Sequence, residues 1–93
     1  MRNPLLAKLR FNYLWSNPQA DNDVLVAAAL ERPLFPDLLT LSLELGPDAL
    51  RRVWDEIEAE GWRSPTARDM SSRYIGIIDR AYRKAAGPYP QPA

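Results

Sequence analysis

Apolar residues recur along this chain at helical spacing, and proline and glycine cut the pattern into segments. Asn3-Pro4 is a start signal, because asparagine caps helices well and proline fits the first helical position. Leu5, Leu6, Leu9, Tyr13 and Leu14 then fall near one face, and Ser16-Asn17-Pro18 stops the run. A second helix is predicted over Val24–Arg32 behind the capping run Asp21-Asn22-Asp23. It is apolar nearly all round, which places it at the centre of the fold. Pro33 ends it.

The third segment carries two signals. Leu39-Thr40-Leu41-Ser42-Leu43-Glu44-Leu45 alternates as a strand does. Pro36-Asp37 before it and Gly46 after it are helix punctuation, and leucine and glutamate are strong helix formers. Only Thr40 in the run is β-branched, so helix is the expectation. Gly46-Pro47 is a compact joint, with Gly46 ending one helix and Pro47 opening the next. In the fourth helix Leu50, Val53, Trp54 and Ile57 stand at i, i+3, i+4 and i+7, a buried stripe. Ser64-Pro65 starts the fifth and longest helix, which runs to about Ala86. Met70, Tyr74, Ile77, Ile78, Ala81 and Tyr82 are its expected apolar face. Gly87-Pro88 ends it.

The predicted fold is therefore all-α, a compact bundle of about five helices in a single domain over residues 1–87. A flexible proline-rich tail over residues 88–93 is expected to favour polyproline II.

Charge adds a second layer to this pattern. The chain is neutral, with twelve bases and twelve acids, but they are segregated. Residues 1–20 hold three bases and no acid, residues 21–60 ten acids and three bases, and residues 61–93 six bases and two acids. Such blocks either pair inside the fold or present a bipolar surface to a partner. Asp55, Glu56, Glu58 and Glu60 crowd the last turns of the fourth helix, where the dipole favours cations, so a basic group nearby is expected to offset them. Arg73, Arg80 and Lys84, seven and eleven residues apart, form a basic stripe on the fifth helix.

Catalytic chemistry finds few residues to use. The chain has no cysteine and no histidine, which removes disulfides, the usual zinc sites and the usual base of a nucleophilic triad. The four glycines are helix punctuation, not a phosphate loop. The clustered carboxylates alternate around an amphipathic helix and read as solvated, whereas acid–base work needs one desolvated. The expectation is a protein that is not an enzyme and needs no cofactor or metal. No signal peptide is read at the N-terminus, and no apolar run is long enough to span a membrane, so a cytoplasmic location is expected. A helix-turn-helix reading of the third and fourth helices would turn Asp48, Asp55, Glu56, Glu58 and Glu60 toward phosphates, and Arg51 and Arg52 do not outweigh them. Overall neutrality argues against nucleic-acid binding by the protein alone. Trp15, Phe35 and Trp62 fall at helix junctions, where aromatics either cap a core or anchor a partner. Tyr89, in the proline-rich tail, is a docking candidate.

Several of these motifs resemble a family of small bacterial proteins encoded beside AbiEii-type nucleotidyltransferase toxins. The likeness lies in Asn22-Asp23 with the apolar run after it, in Phe35-Pro36-Asp37-Leu38-Leu39, in Leu45-Gly46, and in Leu50-Arg51-Arg52-Val53-Trp54-Asp55-Glu56. Leu14-Trp15 is similar to an aromatic–tryptophan pair of related antitoxin-like domains. What the resemblance implies is a non-catalytic antitoxin that binds a cognate toxin and occludes its active cleft. The acidic fourth helix would mimic phosphate there. Alternatively, arginines of the fifth helix would pair with cleft carboxylates. The expected partner-binding residues are Asp55, Glu56, Glu58, Glu60, Trp62, Arg73, Arg80, Lys84 and Tyr89. A small DNA-binding regulator and a homodimeric interaction module are the alternatives.

Overall fold

Asn22–Glu31 (α1), Phe35–Leu45 (α2), Pro47–Glu60 (α3) and Pro65–Ala86 (α4) are the α-helices of the computed structural model, which describes residues 2–86. Among these residues there is no strand. The alternating leucines of α2 are helical, as the punctuation around them predicts. Leu38 and Leu41 point into the core, while Leu43 is 68% exposed.

α1 packs against each of the other three α-helices, but through one face and not all round as its sequence predicts, since Val24 is 50% exposed. Its Leu25, Val26, Ala29 and Leu30 are essentially without exposure. Asp21 caps it by accepting the Val24 N–H at 3.0 Å. Around α1 the core is completed by Leu38 and Leu41, by Leu50, Val53, Trp54 and Ile57, and by Ile75 and Ile78. The stripe expected on the fourth predicted helix is thus buried in full.

The first predicted helix is where the fold departs from expectation, giving four α-helices instead of five. Only a 3-10 turn forms, over Pro4–Lys8, although Asn3 caps it as expected through its Leu5 N–H bond. Leu9 is already extended. The cause is Asp37, buried at the start of α2. Its carboxylate accepts the Arg10 N–H at 2.8 Å, the Phe11 N–H at 3.2 Å and the Tyr13 hydroxyl at 2.8 Å. Those backbone donors, which a helix would have turned onto its own carbonyls, go to a charged acceptor on another element, and hydrogen bonds to charged groups are the stronger ones. Leu6, Tyr13 and Leu14 still reach the core.

Two glycines make the sharp joints. Gly46 (φ 90°, ψ 150°) lies between α2 and α3, and Gly61 (φ 108°, ψ 137°) ends α3. Both conformations lie at positive φ, where a Cβ is strained. Gly46 ends its helix as expected, with positive φ and an extended ψ that only glycine adopts readily.

α4 is rotated relative to the face expected from its sequence. Its buried edge is Ala67, Ser71, Ile75 and Ile78, with Tyr74 and Tyr82 partly buried beside it. Met70 and Ile77, expected in the core, are 36% and 43% exposed. Two polar bonds fix this rotation. The Ser71 hydroxyl, wholly buried, donates to the Leu30 carbonyl at 2.7 Å and so satisfies an acceptor at the end of α1. The Tyr82 hydroxyl donates to the Ser42 carbonyl at 3.1 Å. Phe35 meets Tyr74 edge to face at 5.4 Å. The predicted tail over residues 88–93, Tyr89 with it, lies outside the described residues.

Candidate interaction site

The acidic end of α3 is built into the fold at one point and open at others. Glu58 accepts the indole N–H of Trp62 at 2.5 Å and the Nε–H and Nη2–H of Arg68 at 2.6 and 3.2 Å. Trp62 leans on Trp54, with ring centroids 4.8 Å apart, and the Arg68 guanidinium lies 5.7 Å from the centre of the Trp54 ring. This cluster clamps the turn between α3 and α4. It also supplies the basic group that the carboxylate-rich helix end requires. The bonds to Arg68 hold the Glu58 carboxyl below the usual carboxylate range, and Glu58 raises Arg68 in return. Glu58 and Trp62 are thus engaged internally. Asp55, Glu56 and Glu60 are exposed and form no ion pair among the described residues.

The segregated charges pair across the fold in part. Lys8 meets Glu44 at 2.9 Å, Arg51 meets Asp79, and Arg52 meets Asp23 at 2.5 Å. These contacts are half-exposed and each is worth ~0–1 kcal/mol, so they orient elements more than they stabilise them.

Three further unpaired cations share one face of α4 with two apolar residues. Met70, Arg73, Ile77, Arg80 and Lys84 are separated by three, four, three and four residues, which sets them along one face of a helix. All five are exposed. None of the three cations forms an ion pair among the described residues. The Arg80 guanidinium lies back over Gly76, its Nη1 3.6 Å from where a Cβ would stand. The stripe is about 21 Å long, at 1.5 Å per residue. The sequence identifies its cations but assigns Met70 and Ile77 to the core. The apolar arc of residues 67, 70, 74, 75, 77, 78, 81 and 82 is wider than one core contact uses, which signals that part of it stays exposed, but packing decides which part.

Of the junction aromatics, Phe35 and Trp62 pack inward, while Trp15 is 76% exposed. Among the described residues no group of three or more His, Cys, Asp or Glu side chains could hold a metal ion, and no helix is long and apolar enough to cross a membrane. No family model matches the chain, and no curated protein or solved structure is similar to it at a significant level.

Proposed function

We propose that the protein is a non-catalytic antitoxin, a helical binding module that neutralises a cognate nucleotidyltransferase-type toxin by covering its active cleft. The observation that carries the binding role is the exposed stripe of α4, in which Met70 and Ile77 alternate with Arg73, Arg80 and Lys84. Apolar anchors beside arginines are the composition of protein–protein hot spots. Nucleic-acid phosphates would use the cations but gain nothing from the two apolar side chains. The rigid placement of α4 through Ser71 and Tyr82 presents the stripe already formed, so little ordering entropy is lost on docking. The resemblance supplies the kind of partner, and the exposed Asp55, Glu56 and Glu60 offer a second contact of opposite sign.

Co-expression with the product of the adjacent gene tests this reading. The expected result is a co-purifying complex and relief of growth inhibition, both lost when Ile77→Asp and Arg80→Glu are combined. Absence of a complex, or growth inhibition left unrelieved, overturns it. A salt-sensitive mobility shift on DNA by the protein alone would favour a small DNA-binding regulator instead.

A further inference from the structure

α2 and α4 lie side by side and run in the same direction. Phe35 of α2 meets Tyr74 of α4, and further along both helices Ser42 meets Tyr82. At 3.6 residues per turn, a step of four residues rotates a position by about 40°. Steps of four from Phe35 carry Leu39 and Leu43 up the outer side of α2. On α4 the positions outward of Tyr74 are Met70, Ile77 and Ala81. The two helices thus frame a trough on the side away from the core. Leu39 and Tyr74 are partly buried at its floor and pack on the core beneath. Leu43, Met70 and Ile77 are its exposed walls.

The charge around this trough has one sign. The four acids of α2 and α4 are all engaged elsewhere. Asp37 is buried against the N-terminal segment, Glu44 pairs with Lys8, Asp79 with Arg51, and Asp69 lies 4.0 Å from Arg68. Arg73, Arg80 and Lys84 stand along the α4 rim with no ion pair among the described residues. An apolar trough under a row of unpaired cations is complementary to a helix whose apolar stripe is flanked by acids. A second copy of the chain does not supply one here, because a two-fold contact through this face sets the cations of one α4 against those of the other. A flat anionic bilayer reaches the walls and the cations but not the floor.

We infer that the trough between α2 and α4 receives an acidic amphipathic helix of a partner protein. About fourteen residues of helix match the stripe in length. The apolar side chains of that helix sit between Leu43 and Ile77, and its carboxylates pair with Arg73, Arg80 and Lys84. The inference rests on the reading of α4 as the toxin-binding face, and it adds the chemistry of what docks there and a second wall, Leu43 of α2.

A peptide of about fourteen residues, with leucines at i, i+3, i+4, i+7 and i+11 and mostly glutamate elsewhere, tests this on the full chain by calorimetry and methyl NMR. Saturable binding is expected at roughly 10–100 μM peptide, with shifts at Leu39, Leu43, Met70 and Ile77. Lysine in place of the glutamates should weaken binding at least tenfold. Leu43→Glu, at an exposed position, should do the same with the fold intact by circular dichroism. Absence of saturable binding, equal binding of the lysine peptide, or unchanged binding by Leu43→Glu overturns the inference. So does a dimer, or attachment to anionic vesicles, that Leu43→Glu abolishes while the peptide fails to bind. A toxin complex that forms unchanged with Leu43→Glu overturns the trough and leaves the antitoxin reading standing. Peptide binding without any toxin complex overturns the antitoxin reading alone.

Discussion

The Tyr13 hydroxyl donates to Asp37 across 24 residues of sequence, at 2.8 Å and out of contact with water. Burial first, and then this bond, push the Tyr13 hydroxyl well above the usual phenol range. The folded state therefore holds its proton more tightly than the unfolded chain does. The stabilisation is complete below the unfolded value near ~10 and declines as pH rises above it. Tyr13→Phe should lower unfolding free energy by about 1–3 kcal/mol in urea titrations at pH 7, because it removes a hydrogen bond to a buried charged group. The same substitution should flatten the loss of stability above ~pH 10. Equal stability of the variant and the parent would show that the bond does not hold the N-terminal segment.

Glu58 has the opposite sign. Its bonds to Arg68 favour the carboxylate, so the folded state binds fewer protons than the unfolded chain. This contribution is present above the unfolded carboxylate value of ~4.3 and is lost as pH falls through the depressed folded value. Thermal melts from neutral to acid pH should show Glu58→Gln losing its stability deficit toward the acid end. A deficit of constant size across the range would refute the assignment.

Gly46 joins α2 to α3 at φ 90°. A Cβ built there meets nothing within 4 Å. Any cost of Gly46→Ala is consequently backbone strain alone, about 1–3 kcal/mol. Chemical denaturation measures it directly. A neutral result would mean that the joint relaxes to another conformation.

The stripe on α4 separates binding from stability. Ile77→Ala and Arg80→Ala, both on exposed positions, should shift unfolding free energy by no more than about 0.5 kcal/mol. If the proposed antitoxin role holds, each should weaken capture of the toxin about fivefold or more, the effect of a hot-spot residue costing upward of ~1 kcal/mol. Calorimetry on the complex checks the second expectation and urea titration the first.

The helices are legible in the sequence wherever local chemistry decides. Gly46, Pro47 and Ser64-Pro65 mark boundaries that the structure reproduces, and the i, i+3, i+4, i+7 stripe of Leu50 to Ile57 is the buried face of α3. Legibility fails where a distant partner decides. Nothing near Arg10 announces that its N–H will go to Asp37 instead of a carbonyl four residues back. Nothing in α4 says that Ser71, a polar residue, belongs deeper than Met70, because the reason is the Leu30 carbonyl on another helix. The same holds for the site. The cations Arg73, Arg80 and Lys84 are visible in sequence, but the exposure of Ile77 and Trp15 emerges only from packing.

The bonds to Asp37 also impose an order in time. The segment around Arg10, Phe11 and Tyr13 is the earlier to be synthesised, yet its acceptor belongs to a helix made later. Until α2 has emerged and turned its first residues inward, these donors have no acceptor in the fold and stay with water. The segment around Arg10 to Tyr13 is therefore finished no earlier than the start of α2, and a ribosome-bound fragment that stops short of Asp37 cannot close it.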